Sequence, residues 1–129
     1  MSESDLLAQI ILAHSRGPVR LWRQNSGRGW AGKIVHQDAH KLILSPYYAI
    51  KLGPPGMSDL GGLVSVEVTE SMIGQRVALY VGIEGKTPTG RMRAEQRSFI
   101  EMVREKGGRA GVARSVEEAR LILEADHVS

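Results

Sequence analysis

Two strand-like segments, each followed by a helix-like one, make up the C-terminal half of this chain. Residues 77–90 read VALYVGIEGKTPTG, and a helical pattern follows from 91 to about 106. The glycine pair at 107–108 ends that helix, GRAGVA predicts a short strand, and the capping box SVEE at 115–118 opens a last helix that reaches about residue 125. A strand, helix, strand order needs a crossover connection, which places the two strands in parallel. The chain is therefore predicted to have an α/β fold.

The first of these strands presents a carboxylate beside an ammonium group. Side chains alternate along a strand, so Glu84 and Lys86 share one face. The two predicted faces carry Tyr80, Gly82, Glu84 and Lys86 on one side and Val81, Ile83 and Gly85 on the other. Asp59 lies 25 positions before Glu84 (84 − 59), which completes a D…ExK pattern. Two carboxylates can hold a divalent cation together with water and substrate phosphate, the minimum equipment for metal-dependent phosphodiester hydrolysis. An ordinary solvated ion pair is the alternative interpretation of Glu84 and Lys86.

Composition limits the classes of protein to consider. The chain has 129 residues, 42% of them hydrophobic, which suits one globular domain over residues 1–129. It has no cysteine, so disulfide scaffolds, thiolate zinc sites and thiol catalysis are excluded. Its apolar runs are too short or too interrupted to span a bilayer, and its N-terminus lacks the features of a secretory signal, so a cytoplasmic protein without a membrane partner is expected. The formal net charge of +3 permits a nucleic-acid partner.

The N-terminal segment predicts an amphipathic helix over Glu3–His14. Apolar residues recur there at steps of three and four, namely Leu6, Leu7, Ile10 and Ile11. Glu3 stands one turn before the first of these and lies at the N-terminal end of the apolar face. It is the carboxylate that this helix would deliver to a buried site, or else an acid that only complements the helix dipole.

Between residues 19 and 52 the sequence predicts strands interrupted by breakers. A strand, a glycine-rich turn and a second strand come first, and residues 34–52 then read as strand or irregular segments with a break at Pro46. The glycine-rich turn matches the spacing of a phosphate-binding loop as far as Lys33. Ile34 follows instead of Ser or Thr, however, and a strand pattern follows instead of a helix, so no nucleotide cofactor is expected.

Turn signals precede and follow Asp59. The sequence GPPG at 53–56 is a firm turn that sets Asp59 at the start of the next strand. The glycine pair at 61–62 predicts a second turn, which leads into the alternating strand LVSVEV at 63–68.

The helix predicted from residue 91 has one polar residue on its inward face. That face carries Met92, Gln96, Phe99, Ile100 and Val103. A buried amide needs hydrogen-bond partners, and the preceding strand supplies Glu84 and Lys86. The alternative is that Gln96 lies at the rim of the face and meets water.

Several of these motifs occur together in the order and spacing of one nuclease family. They are Glu3, RQNSG at 23–27, GMSDL at 56–60, IEGKTPTGR at 83–91, Gln96 and GGRAGVARSVEEA at 107–119. Over essentially its whole length the chain resembles a VRR-Nuc (virus-type replication-repair nuclease) domain, a branch of the PD-(D/E)xK superfamily, and it is similar to the small stand-alone versions carried by phages and bacteria. Ser58 replaces the proline of the superfamily name, and Gly85 replaces the usual apolar residue of the ExK motif. The resemblance implies a restriction-endonuclease-like core, with a central mixed sheet flanked by helices.

The resemblance also implies the roles of the site residues. Asp59, Glu84, the Gly85 carbonyl and Glu3 would hold one or two Mg²⁺ or Mn²⁺ ions. Lys86 would orient the attacking water or neutralise developing charge, and Gln96 would hold Lys86 or that water. Arg23 and Asn25 lie where the family motif meets the substrate or supports the site. Further candidates for phosphate contacts are Arg28, Lys33, Arg91, Arg93 and Arg97, and the alternative for each of these is an ordinary solvated surface charge.

The function implied is that of a structure-selective endonuclease acting on branched DNA, of Holliday-junction-resolving type. Nothing in the sequence resembles a recognition helix or zinc module for reading the major groove, and a two-fold homodimer would present two active sites to a junction. A bacterial or phage-infected cytoplasm is the expected location. Two alternatives stay open: a 5′-flap or nicking nuclease of a replication or repair complex, and a non-catalytic DNA-binding subunit that keeps the fold.

Overall fold

A computed structural model gives the structure of the protein and describes residues 1–24 and 28–125. The chain divides into two compact units, Met1–Gly62 and Leu63–Ser129, which are described separately below. The N-terminal unit contains α1 (Glu3–His14), β1 (Val19–Arg23), β2 (Arg28–Gln37) and β3 (Leu42–Lys51), and β4 (Leu60–Val64) crosses the boundary. The C-terminal unit contains a 3₁₀ turn (Glu70–Met72), β5 (Val81–Gly85), α2 (Ala94–Glu105), β6 (Arg109–Ala113) and α3 (Val116–Leu123).

The mixture of helices with antiparallel and parallel strand pairs confirms the predicted α/β class. The described strands pair as three two-stranded sheets, β1 with β4, β2 with β3 and β5 with β6. The β2–β3 pair is antiparallel and the β5–β6 pair is parallel. The larger central mixed sheet and the single domain over residues 1–129 stay predictions. No helix in the described ranges is long and apolar enough to cross a membrane.

The start of α1 is fixed by reciprocal hydrogen bonds between Ser2 and Asp5. The Ser2 hydroxyl accepts from the Asp5 N–H at 3.0 Å, and Asp5 Oδ2 accepts from the Ser2 N–H at 3.1 Å and the Ser2 hydroxyl at 2.7 Å. This capping box satisfies backbone donors that a helix end leaves without partners. The hydrogen bonds from the Ser2 side chain and backbone also hold the pKa of Asp5 below its usual value. The helix begins and ends as predicted, with Glu3 exposed in its first turn.

Gly61 and Gly62 lie inside β4, so the predicted turn at this pair is wrong. The strand predicted over 63–68 also ends early, at Val64. A Cβ on Gly62 would lie 1.9 Å from the carbonyl oxygen of Arg20, and one on Gly61 would lie 2.0 Å from Gln24 Oε1. The two glycines therefore serve close approach of β1 to β4 instead of a change of direction.

The β2–β3 hairpin passes through Pro46 without the predicted break. The strand β3 is continuous over Leu42–Lys51 and contains a cis peptide bond between Ser45 and Pro46. Irregularity appears in the facing strand instead, where the register shifts between Gly32 and Ile34 and again between Ile34 and His36. A Cβ on Gly32 would lie 2.2 Å from the Pro46 carbonyl oxygen, so glycine allows the strands to pass at this point. A bulge of this kind accommodates a proline within a pair of strands.

Strand β5, helix α2 and strand β6 form the predicted parallel unit. The register runs from Val81 opposite Arg109 to Gly85 opposite Ala113. Backbone hydrogen bonds extend the pairing beyond both ends, from the Arg109 N–H to the Tyr80 carbonyl at 2.8 Å and from the Lys86 N–H to the Ala113 carbonyl at 3.1 Å. The chain directly after Glu84 is therefore held against the end of β6.

The core of the C-terminal unit lies between α2 and this strand pair. Val103 is completely buried, and Ile100 and Ala110 are also buried. The partly buried residues packed against them are Leu63, Tyr80, Met92, Met102 and Val112. The apolar face predicted for α2 thus supplies the centre of the core, because its period matches the helical repeat.

Helix α2 begins three residues later than predicted and ends as predicted. Arg93, with extended backbone angles of φ −84° and ψ 156°, is the residue before the helix. At the other end Gly107 has φ +92°, its N–H donates to the Arg104 carbonyl at 3.0 Å, and the Gly108 N–H donates to the Val103 carbonyl at 2.9 Å. This pair of hydrogen bonds is a Schellman motif, which favours glycine at the position with positive φ.

Candidate active site

The alternation predicted for β5 is confirmed by burial. Tyr80, Gly82, Glu84 and Lys86 are all half-buried, whereas Val81, Ile83 and Gly85 are exposed. The carboxylate and the ammonium group therefore share the face of the strand that is partly shielded from water. The side chain of Lys86 is only 19% exposed and that of Glu84 is 34% exposed. This shielding distinguishes the pair from a fully solvated ion pair on the surface.

Glu84, Lys86 and Gln96 come together in the C-terminal unit. Gln96 Nε2 donates to Glu84 Oε1 at 2.6 Å, and Lys86 Nζ lies 3.6 Å from the same oxygen. The amide of Gln96 therefore has a polar partner on the preceding strand, and that partner is the carboxylate of Glu84. A hydrogen bond to an ionised group is stronger than one between neutral groups, so Gln96 holds Glu84 in a defined orientation.

The oxygen of the Gln96 amide caps the start of α2. Its Oε1 accepts from the backbone N–H of Arg93 at 3.0 Å. One side chain thus satisfies a free donor at the start of the helix and also reaches the carboxylate on β5. This second role is not visible along the chain, because the sequence pattern predicts a helix start at residue 91, which sets Gln96 beyond the first turn.

A cavity of about 430 Å³ lies between β5 and α2. Its lining includes the polar side chains of Glu84, Glu95 and Gln96 and the apolar ones of Phe99 and Ile100. Tyr80 and Phe99 meet edge to face with their ring centroids 6.3 Å apart, and burial raises the pKa of Tyr80. The lining of the candidate site therefore combines the carboxylate of Glu84 with apolar and aromatic side chains.

The turn that follows Lys86 is held by Arg114. Arg114 Nη1 donates to the Thr87 carbonyl at 2.6 Å and to the Gly90 carbonyl at 2.7 Å. Sequence reasoning missed this contact, since Arg114 lies 27 positions after Thr87 and belongs to no motif that carries chemistry.

Asp59 and Glu3 both belong to the N-terminal unit. Asp59 comes immediately before β4, as predicted, and its carbonyl accepts from the Gln24 N–H at 3.0 Å. Its side chain is exposed, as is that of Glu3 in the first turn of α1. Asp5, in contrast, is engaged in the capping box, which leaves Glu3 as the acid of this turn that is not used to begin the helix.

Arg23 makes a structural contact within the same unit. Its Nη2 donates to both the carbonyl and the hydroxyl of Ser4, each at 2.8 Å. This contact ties the end of β1 to the first turn of α1, where Glu3 lies. Asn25, the other member of the RQNSG motif singled out, lies outside the described residues.

The remaining basic candidates are exposed. Arg28 is the first residue of β2, and Lys33 lies at the first register shift of the hairpin. Arg91 and Arg93 lie between β5 and α2, and Arg93 Nε is 3.7 Å from Glu95 Oε1. Arg97 lies in the first turns of α2 and is also exposed.

The donor chemistry of the predicted metal residues suits a hard divalent cation. Within either unit taken by itself, no three carboxylate or imidazole side chains of the described residues converge as a metal-binding group. Glu84 nevertheless offers a carboxylate that is held in orientation by Gln96, and Gly85 has open space beside its Cα. Oxygen donors of this kind are those that Mg²⁺ and Mn²⁺ prefer.

The geometry thus joins an α/β fold to a strand that carries Glu84 and Lys86 and to a helix whose Gln96 donates to Glu84. The family model described as the VRR-NUC domain matches residues 10–117. The match covers most of the chain, so the chain belongs to the VRR-NUC family, whose domain is a nuclease that acts on DNA. No curated protein and no solved structure was found to match the chain.

Proposed function

We propose that this protein is a Mg²⁺- or Mn²⁺-dependent endonuclease that cuts branched DNA, of Holliday-junction-resolving type. The observation that carries the proposal is the contact of Gln96 and Lys86 with one oxygen of Glu84 in a chain of the VRR-NUC family. A carboxylate fixed by an amide and set beside an ammonium group is suited to hold a cation and to face a phosphodiester. The proposal includes a restriction-endonuclease-like core.

The proposed roles follow from the chemistry of each group. Glu84 and Asp59 hold the metal ions, with Glu3 and the Gly85 carbonyl as further oxygen donors. A bound divalent cation supplies an acidified water and stabilises negative charge on the phosphate in the transition state. Lys86 orients that water or neutralises developing charge, and Gln96 keeps Glu84 in position.

The branched substrate is proposed because the chain has basic residues but, among the residues that the structure describes, no element for reading base edges. The net charge of +3 and the exposed arginines near α2 suit contact with phosphates, which does not depend on sequence. We include in the proposal a two-fold homodimer that brings two active sites to one junction, in a bacterial or phage-infected cytoplasm. Sedimentation equilibrium of the full chain tests the dimer, and a monomer at working concentrations would contradict it.

The test of the activity is cleavage of labelled four-way junction, 5′-flap and linear duplex DNA, with Mg²⁺ or Mn²⁺ and with EDTA. We expect the Lys86→Ala variant to be inactive. Lys41→Ala is its matched control, because Lys41 is an exposed lysine in the turn of the β2–β3 hairpin. We expect cleavage of the junction that needs metal, is lost in Lys86→Ala and is retained in Lys41→Ala.

Other outcomes separate the competing functions. Metal-dependent cutting of the flap with an intact junction would move the assignment to a flap or nicking nuclease. Binding of DNA without cutting under either metal would indicate a non-catalytic subunit that keeps the fold.

A further inference from the structure

The turn between β5 and α2 carries active-site candidates on both sides. Lys86 immediately precedes Thr87, the first residue of the turn, and the Gly90 N–H closes it by donating to the Thr87 carbonyl at 3.1 Å. Arg93, whose N–H donates to Gln96 Oε1, follows within a few residues. Any shift of this turn would therefore move Lys86 on one side and the start of α2 on the other.

The charged side chain of Arg114 donates hydrogen bonds to this turn. Arg114 Nη1 reaches the carbonyl of Thr87 at 2.6 Å and that of Gly90 at 2.7 Å, which are the two ends of the turn. Hydrogen bonds from an ionised donor are about twice as strong as neutral ones. The single guanidinium nitrogen thus joins both ends of the turn to the end of β6.

Arg114 is itself held in place by its neighbours. The Lys86 N–H donates to the Ala113 carbonyl at 3.1 Å, so the parallel pairing brings Arg114 beside the turn. The Arg114 N–H donates to Glu118 Oε2 at 3.2 Å, and the Glu118 N–H donates to the Ser115 hydroxyl at 3.1 Å at the start of α3. Arg114 is therefore held by β6 and α3, two elements that do not carry the active-site candidates.

We propose that Arg114 is a positioning residue of the nuclease site. Its contacts with Thr87 and Gly90 fix the turn, so that Lys86 and Gln96 keep their places beside Glu84. Arg114 acts through the turn and not by contact with DNA or metal. The inference rests on the proposed nuclease function for its catalytic consequence, but the clamp on the turn can be measured without it.

The kinetic experiment compares Arg114→Ala and Arg114→Lys with the wild-type chain. Arg120→Ala is the matched control, because Arg120 is an exposed arginine that pairs only with Glu117 and Glu124 among the described residues of α3 and its end. For Arg114→Ala we expect kcat on branched DNA to fall by about tenfold to a hundredfold, since small misplacements of catalytic groups have effects of this size. KM and the Kd measured without divalent metal should stay within about twofold, because no phosphate contact is lost.

The conservative variant separates positioning from bulk structural damage. The ammonium of Arg114→Lys can donate to one or both carbonyls, so part of the lost kcat should return. Arg120→Ala should keep the wild-type kcat. Thermal unfolding of each variant establishes that the fold is retained.

Amide hydrogen exchange at Gly90, followed by NMR in metal-free protein, measures directly whether the contacts of Arg114 hold the turn in place. We expect faster exchange at this N–H in Arg114→Ala and wild-type protection in Arg120→Ala. This readout needs neither metal nor DNA.

The outcomes distinguish failure of the inference from failure of the proposed function. Weaker DNA binding with unchanged kcat would make Arg114 a phosphate contact and overturn the inference, as would unchanged kcat together with unchanged exchange at Gly90. If the wild-type chain cuts no DNA, the proposed function fails, and the exchange data alone then decide whether Arg114 clamps the turn.

Discussion

At the scale of single residues, the Gln96 amide is the most constrained group of the candidate site. Its oxygen accepts from the Arg93 N–H and its nitrogen donates to Glu84 Oε1. Neither contact can be exchanged for the other, because only the nitrogen carries hydrogens and only the oxygen accepts. The residue thus couples the first turn of α2 to the carboxylate proposed to hold metal.

Gln96→Glu should lower activity while leaving the helix start in place. The new carboxylate can still accept from Arg93, but it cannot donate to Glu84 and it adds a second negative charge beside it. A hydrogen bond to a charged group contributes about 1.5 to 3 kcal/mol, so kcat/KM should fall by about tenfold to a hundredfold. The measurement is steady-state cleavage of the preferred branched substrate.

Gln75→Glu provides the control for the added charge. Gln75 is exposed, and its backbone N–H is bonded to the Met72 carbonyl at 3.0 Å. Equal loss of activity in both variants would show that net charge, and not the contact with Glu84, is responsible.

At the scale of elements, glycines decide how closely strands approach. Gly62 faces the Arg20 backbone at a distance that no Cβ could occupy, whereas an added Cβ on Gly85 meets no atom within 4 Å. These two strand glycines therefore differ in role. Gly62 allows two strands to pack closely, whereas Gly85 has no neighbouring atom that a side chain would displace.

Gly62→Ala should destabilise the chain, and Gly85→Ala should not. The first forces β1 and β4 apart, with a cost of about 1 to 3 kcal/mol in the free energy of unfolding. The second removes backbone freedom from the unfolded chain at a position without a positive φ, which contributes about 0.4 to 1 kcal/mol in favour of folding. Urea unfolding of the two variants beside the wild type measures the change in the free energy of unfolding of each. Equal changes would contradict the different packing around Gly62 and Gly85.

The turn of the β2–β3 hairpin depends on an ionised aspartate. His36 Nε2 lies 2.9 Å from Asp38 Oδ2, and Asp38 Oδ1 accepts from the N–H groups of His40 and Lys41, each at 2.8 Å. The hydrogen bond with His36, and after it the one from His40, lowers the pKa of Asp38 from its ordinary value of 3.8.

Acid should therefore weaken this turn only at low pH. Because the pKa of Asp38 is lowered on folding, its stabilising effect is complete above pH 3.8 and is lost as the pH falls through the lower folded pKa. The amide resonances of His40 and Lys41 should shift with a midpoint below 3.8, and Asp38→Asn should abolish the transition. A midpoint at or above the ordinary value would contradict the role of these hydrogen bonds.

At the scale of the whole molecule, we expect charge to set how the chain binds DNA. The formal net charge is +3, and the exposed Arg91 and Arg93 lie between β5, which carries Glu84, and α2, which carries Gln96. When arginines contact DNA phosphates, these contacts set the binding affinity and its dependence on salt, and they do not depend on the base sequence.

Arg91→Ala and Arg93→Ala should each weaken binding to every DNA by a similar factor. Loss of one phosphate contact should reduce the slope of log affinity against log salt by about 1. Fluorescence anisotropy over a series of salt concentrations measures this slope, with Arg120→Ala as the control arginine. An unchanged slope would show that these arginines do not contact phosphate.

Local signals in the sequence determined much of the fold. The bounds of α1, the two faces of β5 and the parallel β5–β6 pair follow from short-range patterns of caps, alternation and connection length. Glu84, Lys86 and Gln96 could be singled out for the same reason, since each lies in or beside a regular element whose faces are readable.

Tertiary contacts decided what these signals left open. Gly61 and Gly62 read as a turn because glycine permits one, but in the fold both lie in β4, where Gly61 faces the Gln24 side chain and Gly62 faces the Arg20 backbone. Gln96 accepts from the Arg93 N–H as part of the cap of α2, which begins at Ala94, and it donates to Glu84 on β5. Arg114 acquires its place beside Thr87 only through the pairing of β5 with β6. Periodicity and capping are properties of neighbouring residues and can be read along the chain, whereas these contacts join residues far apart in sequence and exist only once the chain has folded.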